Sequence, residues 1–320
     1  MSIRITAAIC THNRAAYLPG AIESLLQQSL SSSDYEILVI DNCSTDETPG
    51  IAQRYLTAAG DVTLRSTRAE PLGLSHARNL AVQMAAGEVI AFLDDDAIAA
   101  PQWLVALLDA YVAFPNAWAV GGKILLHWDA VRPVWLTEDL LPGLSMLDLG
   151  EETRILGSRE YIWGTNCSFR SKAFIETGMF RTDLGRRGKL LVGQEEMELQ
   201  QRIHRLGQQV VYAPKAVVYH RVEKSRLHRR YFVARAYGSG RSTALIEMTT
   251  ISVGTQLMNS VRVALSASRT CLQSLPRLSD THARLACLRR QAFALGYLCE
   301  AAARLFHGAR PGDEQGSDSI

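Results

Sequence analysis

The sequence predicts an α/β fold: a mainly parallel sheet flanked by helices, with a helical extension at the C-terminal end. Three observations carry that expectation. Short apolar runs alternate with segments whose apolar residues recur every three or four positions, the order expected of parallel strands joined by crossover helices. Polar clusters stand at the ends of three of those runs, where open α/β sheets bind ligands. Beyond Arg221 the strand signals stop and helical periodicity takes over.

Taken in order, "IRITAAIC" is a strand that runs into Thr11, His12 and Asn13. "YLPGAIESLLQQS" spaces Leu18, Ile22, Leu25 and Leu26 as one helical face. "EILVID" is a run suited to a strand buried on both faces, ending at Asp41 and Asn42. "STDETPGIAQRYLTAAG" opens with Ser44 or Thr45 as N-cap candidates and closes at Gly60. "VTLRST" is a strand, and "LSHARNLAVQMAAG" a helix ending at Gly87. "EVIAFL" is a buried strand terminated by Asp94, Asp95 and Asp96, and "PQWLVALLDAYVAF" is a helix with Pro101 in its first turn. From Ala117 to Ser158 the period is lost, and "PVWLTEDLLPGLSMLDLGEE" reads as loop or lid. "REYIWGTNCSFRSKAFIETG" restores strand then helix, "VGQEEMELQQRIHRLG" is an amphipathic helix, and "QVVYAPKAVVYH" gives short strands broken at Pro214.

Composition bounds the class. With 47% hydrophobic and 21% charged residues the chain is globular and long enough for a large core. The first apolar stretch is too short for a signal peptide, and no run approaches the ~20 residues of a membrane span. Six scattered cysteines without a CxxC pair argue for reduced thiols, a cytoplasmic setting and no structural zinc. No GxGxxG follows the first strand and no Walker loop is present, so a phosphorylated ligand needs another neutralising group.

That group is suggested by "AFLDDDA". Three adjacent carboxylates repel one another by about 1 kcal/mol per pair in water and several-fold more near a protein surface. A divalent cation offsets this, because Mg²⁺ and Mn²⁺ take oxygen ligands and share them with substrate phosphates. His220, after "AVVY", joins such a site only if the fold returns it to the aspartates. Glu195 and Glu196 open a helix; they complement its dipole, and one of them is also placed as a general base. Arg78 suits a phosphate or a local carboxylate, and Trp163 and Trp135 suit an apolar wall for a sugar ring.

Together, "AAICTHNRAAYLPGAIESLLQQS…YEILVIDNCSTDET", "GLSHARNLAVQMAAGEVIAFLDDDA", "WGTNCSFRSKAF", "GQEEMELQQRIHRLG" and "YAPKAVVYHRV" resemble glycosyltransferase family 2 over about three quarters of the chain. The resemblance implies a GT-A fold and inverting transfer from a nucleotide-diphosphate sugar, a UDP-sugar being the first candidate, to a glycan or lipid-linked acceptor. It implies Thr11, Asn13, Asp41 and Arg78 as nucleotide-sugar contacts, with Asp94 and Asp95 beside the diphosphate. Asp94, Asp96 and His220 match its metal positions for Mn²⁺ or Mg²⁺. Trp163, Gly164 and Asn166 fall on the acceptor side. Glu196 falls on the family's base position, with Glu195 before it where that family usually has Glu-Asp, so either carboxylate remains a candidate. A nucleotidyltransferase or an inactive transferase-like binding module are the alternatives; nucleic acid is not an expected partner.

Residues 1–225 are thus expected to form the transferase domain, 226–310 a basic helical region and 311–320 a disordered tail. From Arg221 to Arg310 there are 15 Lys/Arg against 4 Asp/Glu, a net of +11 inside a chain whose total is +2. Leu285, Leu288, Ala292, Leu295, Cys299, Ala302 and Phe306 form a helical stripe among those arginines. Three occupants suit it: the anionic inner face of a membrane, giving a peripheral enzyme in surface polysaccharide synthesis, other helices of the chain, or a second copy of the chain in a homodimer.

Overall fold

The computed structural model describes residues 3–188, 191–274 and 280–307. The expected tail, 311–320, and the Phe306 side chain lie outside the described set. The chain divides into two units: residues 1–132, 136–180 and 195–224 form the first, and 133–135, 181–194 and 225–320 the second. The segment 181–194, counted with the front domain from the sequence, therefore groups with the rear helices.

The first unit is a mixed sheet between two layers of helix. Its strands are β1 (Ile5–Thr11), β2 (Tyr35–Asp41), β3 (Thr63–Arg68), β4 (Val89–Leu93), β5 (Ala97–Ala99), β6 (Ala117–Trp128), β7 (Arg154–Ile155), β8 (Asn166–Arg170) and β9 (Gln209–Val222). They lie in the order β3-β2-β1-β4-β8-β6-β9-β5, with β7 on β9. Strands β3, β2, β1 and β4 are parallel to one another; β8 runs antiparallel to both β4 and β6, and β5 antiparallel to β9. The sheet is thus mainly parallel, since β6 and β9 form a further parallel pair beyond the antiparallel β8. Helices α1 (Leu18–Leu26), α2 (Thr48–Ala58) and α4 (Trp103–Ala113) cover one face through Leu18, Ile22, Leu25, Ile51, Trp103 and Leu107. Helices α3 (Leu74–Met84), α5 (Ser171–Thr177) and α6 (Glu195–Arg205) cover the other through Ala77, Ala81, Phe174, Leu199 and Ile203. Burial on both faces is why β2 and β4 read as unbroken apolar runs.

Three local expectations are corrected. Helix α2 begins at Thr48 with Glu47 at its cap position, not at Ser44 or Thr45, because those residues serve the site described below. The aperiodic stretch from Ala117 hides the long strand β6, which carries Gly121 and Gly122. A Cβ on Gly122 would lie 1.8 Å from the Ala216 carbonyl oxygen, so the glycine is what allows β6 and β9 to approach. Strand β9 does not break at Pro214: the β6–β9 register jumps from Gly122↔Ala213 to Ile124↔Val218, and this bulge absorbs the residue that has no N–H to donate.

The second unit holds α7 (Arg229–Met248), α8 (Val253–Ser274) and α9 (Thr281–His307). Helices α7 and α9 meet through glycine. A Cβ on Gly240 would fall 2.0 Å from the Phe293 carbonyl oxygen, and one on Gly296 2.1 Å from that of Tyr237. Arg241 pairs with Glu300 at 2.7 Å across that contact. The Tyr297 hydroxyl donates to Glu247 at 2.5 Å and accepts from Gln256 at 3.0 Å. The packed side of α9 is therefore Ala294, Tyr297 and Ala301. Of the stripe chosen from the sequence, Leu285 is buried, while Leu288, Leu295, Cys299 and Ala302 face outward. Small residues bring α9 onto α7, and periodicity scored by hydrophobicity favours leucines over glycine and alanine.

Candidate active site

The site lies at the C-terminal ends of β1, β2 and β4. Strands β1 and β2 run in register with Thr11 opposite Asp41, so both buried side chains end at one level. The Asn42 N–H donates to the Thr11 carbonyl at 2.7 Å. The Asn42 amide then donates to the Ala69 and Pro71 carbonyls at 3.0 and 3.1 Å and accepts from Gly73 N–H at 2.7 Å, tying the β2 end to the loop before α3. Asp41 accepts from the Ser44 N–H at 3.3 Å and lies 3.7 Å from Arg68. Asn13 has φ 53°, a conformation asparagine tolerates better than most residues. Its N–H donates to the Ser44 hydroxyl at 2.9 Å and its Oδ1 accepts from Thr45 N–H at 2.8 Å.

After Leu93 the three aspartates turn the chain from β4 into β5, and the turn closes from Ala97 N–H to the Asp94 carbonyl at 3.1 Å. Pairing of β5 with β9 sets Ala97 opposite His220, while the Arg221 N–H donates to the Asp96 carbonyl at 2.8 Å. His220 Nε2 is thereby 3.3 Å from Asp96 Oδ1. Asp94, Asp96 and His220 each present a ligand atom, all within 4.8 Å of one another. Two carboxylates fit Mn²⁺ or Mg²⁺, and the imidazole favours the softer Mn²⁺ of the two. Thr165 fixes Asp94 by a 2.8 Å hydrogen bond from its hydroxyl.

Two arginines offset the carboxylate charge. Arg14 lies 3.6 Å from both Asp95 and Asp96 and pairs closely with Glu223. Burial, with Asp96 adding to it, raises the Asp95 pKa to about 7 despite Arg14. Arg78 is buried against the rings of Phe92 and Phe180, at 5.3 and 5.8 Å from their centroids. It pairs with Glu195 at 2.7 Å, donates to the Gly164 carbonyl at 3.1 Å and approaches Asp94 to 3.6 Å. Gly164 is glycine for that approach, since a Cβ there would meet Arg78 Nη2 at 2.7 Å.

The two glutamates at the start of α6 are thus in different situations. Glu195 is buried and committed to Arg78. Glu196 is half-buried and accepts a 3.3 Å hydrogen bond from Gly164 N–H. Burial first, then the neighbouring Glu195, raises its pKa to about 7, the range of a general base working near neutrality. Cysteine chemistry is disfavoured: burial raises the Cys10 thiol to about 12 and the Cys167 thiol further. Cys10, Cys43, Cys167, Cys271 and Cys299 are free thiols.

Not every expected residue faces this site. Trp163 is half-buried beside it, its carbonyl accepting from Asn166 N–H at 2.9 Å. Asn166, expected on the acceptor side, lies in the core. Its Oδ1 accepts from Trp103 Nε1 at 2.8 Å, and its amide donates to the Lys123 and Ala216 carbonyls at 3.0 and 2.8 Å. Those carbonyls flank the β6–β9 bulge, so Asn166 repairs a broken ladder. Trp135 belongs to the second unit, edge-on to Phe232 at 5.7 Å. Residues passed over in the sequence are Arg14, Thr165 and Glu223. Arg14 had a signal in "THNR", a cation just past a strand end facing three carboxylates; the other two had none.

Comparison with known proteins decides the family. Residues 6–178 match the Glycosyl transferase family 2 model, more than half of the chain. The chain belongs to glycosyltransferase family 2. This transferase is similar to the glucosyl-dolichyl phosphate glucuronosyltransferase of Haloferax volcanii, 29% identical over 251 residues that cover 77% of this chain and 78% of that one. It is also similar to the validoxylamine A glucosyltransferase of Streptomyces hygroscopicus subsp. jinggangensis, 27% identical over 63% of this chain and only 52% of the relative. Among solved structures it shares the fold of the Pyrobaculum calidifontis mannosyltransferase PcManGT in complex with GDP-Man and Mn²⁺. The TM-score is 0.64 at 21% identity, over 97% of this chain and 89% of that one. Staphylococcus aureus TarS 1–349 with UDP-GlcNAc superposes at TM-score 0.52 and 15% identity, over 95% and 92%. Family membership sets aside the nucleotidyltransferase and inactive-module alternatives in favour of a glycosyltransferase enzyme.

Proposed function

We propose that this transferase moves a sugar, with inversion, from a nucleotide-diphosphate sugar to a glycan or lipid-linked acceptor at the cytoplasmic face of a membrane. The observation that carries the proposal is the convergence of Asp94, Asp96 and His220 at the end of β4, next to the Arg78–Glu195 pair and the half-buried Glu196. Support for the donor class comes from GDP-Man with Mn²⁺ in PcManGT and UDP-GlcNAc in TarS. Support for a lipid-linked acceptor comes from the dolichyl phosphate named for the Haloferax relative.

Thr11, Asn13 and Asp41 at the β1 and β2 ends would hold the nucleoside, and Asp94, Asp96 and His220 a divalent cation. When bound, that cation neutralises charge developing on the leaving diphosphate. Arg78 anchors Glu195 and Gly164, so the loop carrying Trp163 and the start of α6 keep a fixed spacing. Glu196 would take the acceptor hydroxyl proton as that oxygen bonds to the anomeric carbon and the bond from that carbon to the diphosphate oxygen breaks. Gly164 N–H orients the carboxylate for that transfer.

The test is turnover of a panel of UDP- and GDP-sugars with Mn²⁺, Mg²⁺ or excess chelator, with the product's anomeric configuration read by NMR. Metal-dependent loss of one donor, with inversion, is expected. Turnover unchanged in excess chelator, or retention of configuration, overturns the proposal.

A further inference from the structure

The unabsorbed feature of the second unit is the outer side of α8. One side of this helix packs on α9, with Gln256 reaching Tyr297 and Gln291 reaching the Ala267 carbonyl at 2.7 Å. The opposite side carries Val253, Leu257, Val261, Leu265 and Leu272, each 50 to 66% exposed. Their spacing of four and seven residues makes one continuous stripe. Leu288 and Leu295 of α9, seven residues apart, are likewise about half exposed at 49 and 58%. Among the described residues nothing covers either stripe. Soluble surfaces seldom leave so many large aliphatic side chains together without a partner.

Charge selects the partner. Helix α8 contains no Asp or Glu, and Arg262 and Arg269, both exposed and seven residues apart, border its stripe. The single carboxylate in α9, Glu300, is buried and paired with Arg241. Arg284 and Arg290 on α9 are exposed as well, Arg290 reaching the Ser266 hydroxyl at 2.5 Å. A second copy apposed through this face would set arginines against arginines with no carboxylate to pair them. A bilayer rich in anionic lipid supplies the missing charge at the depth where an interfacial helix places its polar border. No helix among the described residues is long and apolar enough to cross a membrane.

We propose that the outward face of α8 docks this enzyme on anionic lipid bilayers, with its aliphatic stripe in the headgroup–acyl boundary and Arg262 and Arg269 on lipid phosphates. The inference deepens the membrane location proposed above but needs no part of the transfer chemistry. It is tested by co-sedimentation of the full chain with phosphatidylcholine vesicles, with and without phosphatidylglycerol, at low and high salt. The unaltered chain should bind only the anionic vesicles, and high salt should weaken binding. Val261→Glu/Leu265→Glu and Arg262→Gln/Arg269→Gln should each lower the partition at least about tenfold. Both pairs are exposed and outside the active site, so circular dichroism and donor turnover without vesicles should stay unchanged. Loss of turnover in the unaltered chain would defeat the transferase proposal and leave this one standing. Failure of the unaltered chain to sediment with anionic vesicles, or equal binding by both variants, overturns the docking surface. A dimer in sedimentation velocity that Val261→Glu/Leu265→Glu dissolves, without vesicle binding, assigns the face to a second copy and also overturns it.

Discussion

Replacing Glu196 with Gln keeps the shape of the side chain and its hydrogen bond from Gly164 N–H while removing the proton acceptor. General-base catalysis is worth about 10²- to 10⁴-fold, so kcat should fall by at least about 10²-fold with the donor Kd nearly unchanged. The pKa raised to about 7 adds a signature. The base must be ionised, so wild-type kcat/KM should fall tenfold per pH unit below about 7 and stand about a hundredfold below its plateau at pH 5. Asp95 also lies near 7, but a bound divalent cation favours its ionised form, so saturating Mn²⁺ removes it from the profile. The acidic limb should therefore vanish in Glu196→Gln. Stability runs the opposite way from activity. The folded state holds the Glu196 proton more tightly than the unfolded chain, so the stabilisation is complete below 4.5 and is lost as pH rises through about 7. That interval corresponds to on the order of 3 kcal/mol, and Glu196→Gln should flatten it. Glu195→Gln is the contrasting variant. It strands Arg78, paired at 2.7 Å with both side chains 3% exposed, and breaking a buried pair costs about 3–5 kcal/mol. It should lower Tm sharply, which Glu196→Gln should not. The assay is steady-state transfer across pH 5–9 with saturating Mn²⁺, alongside thermal melts. Retention of more than a tenth of wild-type kcat by Glu196→Gln, or an acidic limb that survives in it, would refute Glu196 as the base.

Asn166→Ala should act on stability and not on acceptor use. It removes three hydrogen bonds in the core, for about 3 kcal/mol or more, while KM for the acceptor stays within about twofold; a large KM change with unaltered Tm would return Asn166 to the acceptor side. Gly240→Ala places a Cβ 2.0 Å from the Phe293 carbonyl oxygen and should destabilise the second unit by at least about 2 kcal/mol. Hydrogen exchange should then speed up in α7 and α9 while β1, β2 and β4 keep their protection, and unchanged exchange in α7 and α9 would refute the close helix contact.

Much of this enzyme was fixed by short-range pattern. Strands β1, β2 and β4 announce themselves as short apolar runs and helices α1, α3, α4 and α6 by the regular period of one buried face, and the aspartates of "DDD" mark a strand end wherever that strand lies. Pattern also supplied the family resemblance, since "THNR", "DDDA" and "GQEEMEL" keep their order along the chain. It could not supply what depends on partners distant in sequence. His220 reaches Asp96 only because β5 and β9 pair antiparallel with Ala97 opposite it. The difference between Glu195 and Glu196 exists only once Arg78 from α3 lies against one of them and burial acts on the other. Asn166 looked like a site residue until the β6–β9 bulge showed which carbonyls its amide must satisfy. On α9 the sequence marked one leucine stripe for a membrane or for protein contact; the structure packs α9 through Gly296, Tyr297 and Ala301, because close helix approach rewards small side chains as much as large apolar ones. Periodicity reports which residues share a face, and only tertiary packing decides whether that face meets protein or is left outward.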